Sequence, residues 1–116
     1  NEGLNAVGER IGGLLGEVRN GSRVLKSWAR GSVSGERYVG GLAGQNSGSI
    51  NDCYSTGFVV GNTDVGGFCG SGGSSIINSV WDTETSGQTT SSGGIGKTTA
   101  EMKNKQTYID LGWSIQ

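Results

Sequence analysis

Few side chains in this 116-residue sequence are of a kind that does chemistry, and their spacing narrows them further. The stretch GGIGKTT ends on Gly96-Lys97-Thr98, the closing residues of a phosphate-binding loop of the form G-x-x-x-x-G-K-[ST]. That loop needs glycine at position 91, where Ser91 stands, and an apolar strand before it, where TSGQTTSS stands. The pattern argues against nucleotide binding. A serine or cysteine nucleophile lacks its usual base, because the chain has no histidine. A glycosidase needs two carboxylates facing each other across a cleft. The acids Asp52, Asp64, Asp82, Glu84 and Asp110 are scattered, and solvation at the surface is the simpler expectation for them. Turn carboxylates leave calcium open as the one conceivable cofactor, although the G-G-x-G-x-D repeat of calcium-binding arrays is absent. The expectation is a non-enzyme with no catalytic, cofactor-binding or metal-binding residues.

Three other features carry some chemistry. Cys53 and Cys69 lack C-x-x-C spacing and have no histidine to complete a zinc set. Buried free thiols and a disulfide both remain open for them. Asn20-Gly21-Ser22 fits the N-glycosylation acceptor pattern, for which a turn is sufficient explanation. Trp28, Tyr54 and Trp81 recur at similar places in successive segments, so they form either a packing row or a row that stacks on sugars.

The segments that position these residues are repeats. IGGLLG begins at Ile11, VGGLAG at Val39 and VGGFCG at Val65, steps of 28 and 26 residues. A second block follows each: VLKSWARGSVSG from Val24, INDCYSTGFVVG from Ile50 and INSVWDTETSG from Ile77. Aligning these blocks puts Trp28, Tyr54 and Trp81 in one row, with Ser27, Cys53 and Val80 just before them. Val33 matches Val59, Gly35 matches Gly61, and VGER at Val7 echoes VSGER at Val33. Length differences fall at EVRNGSR against QNSGS, where turns absorb insertions.

Composition limits what such repeats can build. With 24 glycines, 32% hydrophobic residues and no proline, the chain resembles a linker, but its net charge of −1 does not hold it open. Glycine costs a helix interior about 1 kcal/mol against alanine, so a helical repeat is disfavoured. Single apolar residues and short alternating groups between Gly, Asn and Ser turns predict short strands. The expected fold is all-β: a parallel β-helix or β-solenoid of about three coils, with a short C-terminal helical cap or junction. Glycine is expected at corners and where walls approach closely. Val24, Ile50 and Ile77 are expected as an inward aliphatic row, with Cys53, Val33, Val59, Leu14, Leu42 and Phe68 in the core.

The stretch VGGLAGQNSGSINDCYSTGFVVG resembles the GLUG motif repeat, through its glycine-leucine-glycine core and the NDCYSTG that follows. The tail VWDTETSGQTTSSGGIGKTTAEMKN resembles the segment that commonly follows the last such repeat. The first unit departs with Ser27-Trp28 in place of Cys-Tyr, and the third with Val80-Trp81. The resemblance implies large secreted or surface-anchored microbial proteins, often adhesin-like, some of them extracellular proteases with the repeats as accessory regions. It implies no active site within the repeats.

The domain expectation is repeats over residues 1–82, followed by a capping or junction segment over 83–116. In that segment Thr98 and Glu101 make a T-x-x-E capping box for a helix near 99–109. Ala100 and Met102, joined by Tyr108, Ile109 or Trp113, are expected to cover the end of the last coil. The near-neutral charge leaves no footprint for nucleic acid, and no apolar run is long enough to span a membrane. NEGLNAVG lacks an initiator Met, which suggests a mature form or a piece of something longer. The expected role is an extracellular or cell-surface spacer or adhesion surface. Its expected partners are copies of itself, adjoining repeats, or a host, cell-surface or glycan ligand. A self-assembling subunit and an accessory region of a secreted hydrolase are the alternatives.

Overall fold

The computed structural model describes residues 3–5, 9–72 and 75–113, and these are mostly short parallel strands with two short helices. After β1 (Gly3–Asn5), the first unit holds β2 (Glu9–Gly12), β3 (Leu15–Val18), β4 (Arg23–Leu25), β5 (Trp28–Ala29) and β6 (Ser32–Ser34). The second holds β7 (Arg37–Gly40), β8 (Ala43–Asn46), β9 (Ser49–Asn51), β10 (Tyr54–Ser55) and β11 (Val59–Val60). The third holds β12 (Thr63–Gly66), β13 (Cys69–Ser71), β14 (Ile76–Ile77) and β15 (Val80–Asp82). The tail adds β16 (Ile95–Lys97), α1 (Thr99–Met102) and α2 (Lys105–Asp110).

Each strand of the units pairs with its counterpart one unit away, and β16 of the tail adds to β15, giving five parallel sheets ordered β1-β6-β11, β12-β7-β2, β13-β8-β3, β14-β9-β4 and β16-β15-β10-β5. The blocks beginning at Ile11, Val39 and Val65 are in register, since Val39 pairs with both other residues. The first unit is longer than the second only at the EVRNGSR turn. Val18 still pairs with Asn46, whereas Arg23 pairs with Ser49. Val7 lies outside the described residues; Leu4 is the residue paired with Val33, and Glu9 with Arg37.

The core lies between the sheets. Leu14, Leu42 and Phe68 stack along the repeat, the last two buried, with Leu14 N–H donating to Leu42 O at 3.0 Å and Leu42 N–H to Phe68 O at 2.8 Å. Val24, Ile50, Cys53 and Val18 join them. Val33, Val39 and Val59 form a second cluster, with Val65 packed against it. Burying one such aliphatic side chain contributes roughly 1.5–3 kcal/mol.

The second block of the third unit runs one residue out of step with the sequence alignment. Ile76, not Ile77, pairs with Ile50, and Ile77 pairs with Asn51 and is 56% exposed. Tyr54 pairs with Val80, and Ser55 with Trp81. A one-residue shift in a strand moves every side chain to the opposite face. Trp81 therefore points inward and is buried, leaving the outward aromatic row to Trp28 and Tyr54.

Of the two places expected for glycine, close approach is observed and the recurrent corners are not. The recurrent left-handed corners carry Lys26 (φ 49°), Asp52 (φ 56°) and Asn78 (φ 52°) in one row, and Tyr38 (φ 53°) and Asp64 (φ 52°) in another. Asn and Asp tolerate this conformation through short polar side chains. The paired glycines serve the close approach of the walls. A Cβ on Gly41 would sit 2.2 Å from Gly67 O and 2.8 Å from Ser55 Oγ.

The residue after each corner in the first row closes it with a side-chain hydrogen bond to the carbonyl two residues back. Ser27 Oγ donates to Leu25 O at 2.9 Å, Cys53 Sγ to Asn51 O at 3.2 Å, and Ser79 Oγ to Ile77 O at 3.0 Å. Ser79, rather than Val80, thus completes the row of Ser27 and Cys53. Cys53 acts there as a large serine.

The tail continues the pairing before it turns helical. Val59 N–H donates to Ser86 O at 2.9 Å, Gly67 N–H to Thr90 O at 3.0 Å, and Phe68 and Cys69 N–H to Ser91 Oγ. β16 then pairs with β15, which places Gly96-Lys97 of the phosphate-loop near-miss within a strand. Residues 86–97 thereby cover the end of the third unit, the job expected of the helices.

Candidate functional site

The outer face of the β16-β15-β10-β5 sheet gathers Trp28, Tyr54, Tyr108 and Trp113, and two hollows open beside them. Its outward row runs Trp28, Tyr54, Val80, Ile95 in strand register. Trp28 and Tyr54 stack with ring centroids 6.0 Å apart and planes 8° from parallel. Rings stacked along a ladder press their faces together and turn their edges to solvent. The pair is consequently not a flat platform for a sugar, although Trp28 remains 54% exposed.

The tail helices lie along this row. Thr98 caps α1 by accepting from Glu101 N–H at 3.2 Å, and Glu101 Oε1 accepts from Thr98 N–H at 2.9 Å, completing the capping box. These bonds, led by the one from the Thr98 backbone, hold the Glu101 carboxyl below its ordinary range. The segment expected as one helix is two, because Lys103 closes α1 and the Asn104 side chain caps α2 by accepting from Gln106 N–H. Gly112 at φ +89° ends the segment, and Trp113 N–H returns to Tyr108 O at 3.0 Å.

This turn brings Tyr108 and Trp113 together at 4.8 Å, and both against Tyr54 at 6.4 and 6.5 Å. The polar atoms of these two rings are used internally. Tyr108 donates its hydroxyl to Met102 O, and Trp113 Nε1 donates to Asn78 O at 2.7 Å. Burial pushes the Tyr108 phenol above its ordinary value. Met102 is buried beneath, while Ala100 and Ile109 are exposed. Sequence reasoning found Tyr54 but assigned Tyr108 and Trp113 only to end coverage. Nothing in their spacing signals that they turn back along the face of the sheet.

Asp82 anchors the tail. Contrary to the expectation of a solvated surface acid, its side chain is buried. Oδ1 accepts from Glu84 N–H at 2.8 Å and Thr85 N–H at 3.0 Å, and Oδ2 from Thr99 Oγ1 at 2.7 Å. Burial alone would raise this carboxyl, but the bonds from Thr85, Thr99 and Glu84 together outweigh it and hold it below the usual carboxylate range. Glu84 Oε1 adds a bond from Thr99 N–H at 2.9 Å.

Two hollows flank Tyr54 and Trp113. The larger, about 640 Å³, has Tyr54, Tyr108 and Trp113 as aromatic walls, Thr56, Thr85 and Thr99 as hydroxyls, and Arg30 and Lys103 as cations. Asp82 and Met102 complete its lining. The smaller, about 240 Å³, is lined by Lys26, Ser27, Trp28, Asp52, Tyr54 and Trp113. Arg30 Nη2 donates to Tyr54 Oη at 3.2 Å. Trp81 lies elsewhere, in the core, where its Nε1 has no hydrogen-bond partner among the described residues.

Other chemistry-bearing residues do not converge. Cys53 and Cys69 are free and buried, and burial pushes the Cys69 thiol up to about 11 and that of Cys53 in the same direction. Such thiols are poor nucleophiles. Among the described residues, no three His, Cys, Asp or Glu side chains come close enough to hold a metal ion. Asp52 and Asp64 occupy backbone corners.

Over 112 residues, 95% of its length, the chain is 39% identical to a protein of Evansella cellulosilytica named "Putative Gly-rich membrane protein". It spans only 10% of that protein. Among the described residues no helix is long and apolar enough to cross a membrane. No solved structure matches. The family profile described as the GLUG motif matches residues 35–60, from just before β7 to the end of β11, so the complete second unit of this chain is a GLUG motif.

Proposed function

We propose that the three units are coils of a β-solenoid and that the chain is a non-catalytic spacer segment of an extracellular microbial surface protein. The observation that carries this reading is the in-register parallel pairing of the strands of each unit with their counterparts one unit away. Such pairing extends by addition of units, each contacting only its neighbours, and so builds length rather than a cleft. The large Gly-rich membrane-protein relative supports a place at the cell surface. The partners in this reading are adjoining repeats of the same protein, with the outer faces available for adhesion. A role as an accessory region of a secreted hydrolase is also compatible with covering a tenth of a longer relative. A protease applied to intact cells, followed by detection with antibodies against this chain, tests the location. Loss of signal without lysis is expected, and a protected signal released only by lysis would overturn the proposal.

A further inference from the structure

We propose that the larger hollow beside Tyr54 is a binding site for an acidic saccharide. This goes beyond the spacer reading, which stands whether or not the hollow is occupied. The volume of about 640 Å³ falls in the range of small-molecule sites. Unlike the Trp28–Tyr54 stack, its walls are tilted rings: Tyr108 and Trp113 meet at 44° and Tyr54 and Tyr108 at 58°. Tilted rings cannot pair face to face with one another, so they leave ring face for the carbon face of a pyranose.

The polar lining suits a polyol. Thr56 brings a hydroxyl to the wall, and those of Thr85 and Thr99, which donate to Thr56 O and Asp82 Oδ2, keep lone pairs that can accept from a sugar. The Tyr54 hydroxyl accepts from Arg30, and its own proton has no acceptor among the described residues. A saccharide hydroxyl or carboxylate would take that proton.

Charge then selects the kind of sugar. Arg30 and Lys103 both line the hollow, and neither forms an ion pair among the described residues. The one lining carboxylate, Asp82, already accepts three hydrogen bonds from Glu84, Thr85 and Thr99. Glu84 and Glu101 nearby are likewise turned onto backbone N–H groups of the tail. A guanidinium and an ammonium left facing a hydroxyl-rich, ring-walled hollow fit a uronate carboxylate, which Arg30 can meet with charge-assisted bonds.

Isothermal titration calorimetry of the full chain tests this with three probes: trigalacturonate, maltotriose of the same length, and hexaglutamate. Trigalacturonate is expected to bind at least about tenfold more tightly than either of the others, and more weakly at high salt. The surface pair Arg30→Gln and Lys103→Gln is expected to lower its affinity about tenfold with an unchanged circular dichroism spectrum. Tyr54→Phe, which keeps the ring, is expected to weaken it by a few-fold. No heat with trigalacturonate, equal binding of maltotriose, or insensitivity to the paired substitution would overturn the proposal. Equal or tighter binding of hexaglutamate would assign the hollow to acidic peptides instead.

Discussion

In the middle of the stack Ser55 faces Gly41 across the core, and its hydroxyl reaches Gly67 O at 3.1 Å. One unit further on, Trp81 stands in the same strand position and faces Gly67, where a Cβ would sit 2.0 Å from the indole. The first two units, with Ala29 and Ser55 opposite Gly13 and Gly41, close their cores by bringing two walls nearly into backbone contact. The third closes with a plug whose indole also meets Gly94 and Gly96 of the tail. A small-residue pair therefore makes an interior unit that can repeat, and a Trp–Gly pair makes one that ends.

The largest expected effect comes from removing the close approach in the interior. Gly41→Ala puts a methyl against backbone on one side and Ser55 on the other. It should cost more than about 3 kcal/mol by denaturant unfolding, because the backbone must move. Gly21→Ala, at a φ of +89° with nothing within 4 Å, should cost only about 1 kcal/mol. Equal costs would show that conformation rather than wall contact governs these glycines.

Removing the plug comes close behind. Trp81→Ala should lose about 3–5 kcal/mol. Trp81→Phe should lose much less, since it fills most of the space and deletes the buried Nε1–H that lacks a partner. A larger loss for phenylalanine than for alanine would contradict the plug.

Smaller effects separate tail from body. Asp82 has its pKa depressed in the folded chain, so its contribution is complete above the ordinary carboxylate range and is lost as pH falls through the depressed value. Acidification should release α1, read as a change in Trp113 fluorescence, before the β circular dichroism signal is lost. Asp82→Asn should weaken that pH dependence. Thr98→Ala should cost about 1 kcal/mol of helix capping and leave the body's unfolding midpoint nearly unchanged if the tail opens first.

The smallest effect concerns the thiols. Cys53→Ser should change stability by less than about 1 kcal/mol, because Ser27 and Ser79 make the same corner bond. The Cys69 thiol, raised from 9.0 to about 11, should resist thiol reagents at pH 8 until the chain unfolds. Its contribution is complete below its unfolded value and falls as pH rises toward about 11.

The strand-rich character, the repeat and its insertion point were legible in the sequence, because VGG blocks must bring backbones together and insertions must sit in turns. The slip in the third unit was not. Size alone aligns Trp81 with Tyr54, yet Trp81 replaces a small inward residue at the end of the stack. The Lys26-Ser27, Asp52-Cys53 and Asn78-Ser79 corners hold the true register, and a left-handed Lys gives little signal in a sequence. The candidate site was half visible. Tyr54 sits in a repeat, whereas Tyr108 and Trp113 reach it only because two capped turns fold the tail back along the sheet.

The central claim is in-register parallel pairing between successive units, and engineered cysteines test it most directly. In a Cys53→Ser, Cys69→Ser background, Asn51→Cys and Ile77→Cys place thiols on paired outward positions. Adjacent strands lie about 4.8 Å apart, within the span of a disulfide. The account predicts an intramolecular disulfide by mass spectrometry for this pair and none for Asn51→Cys with Ile76→Cys, which points to the other face. Cross-linking of the second pair, or of neither, would contradict it.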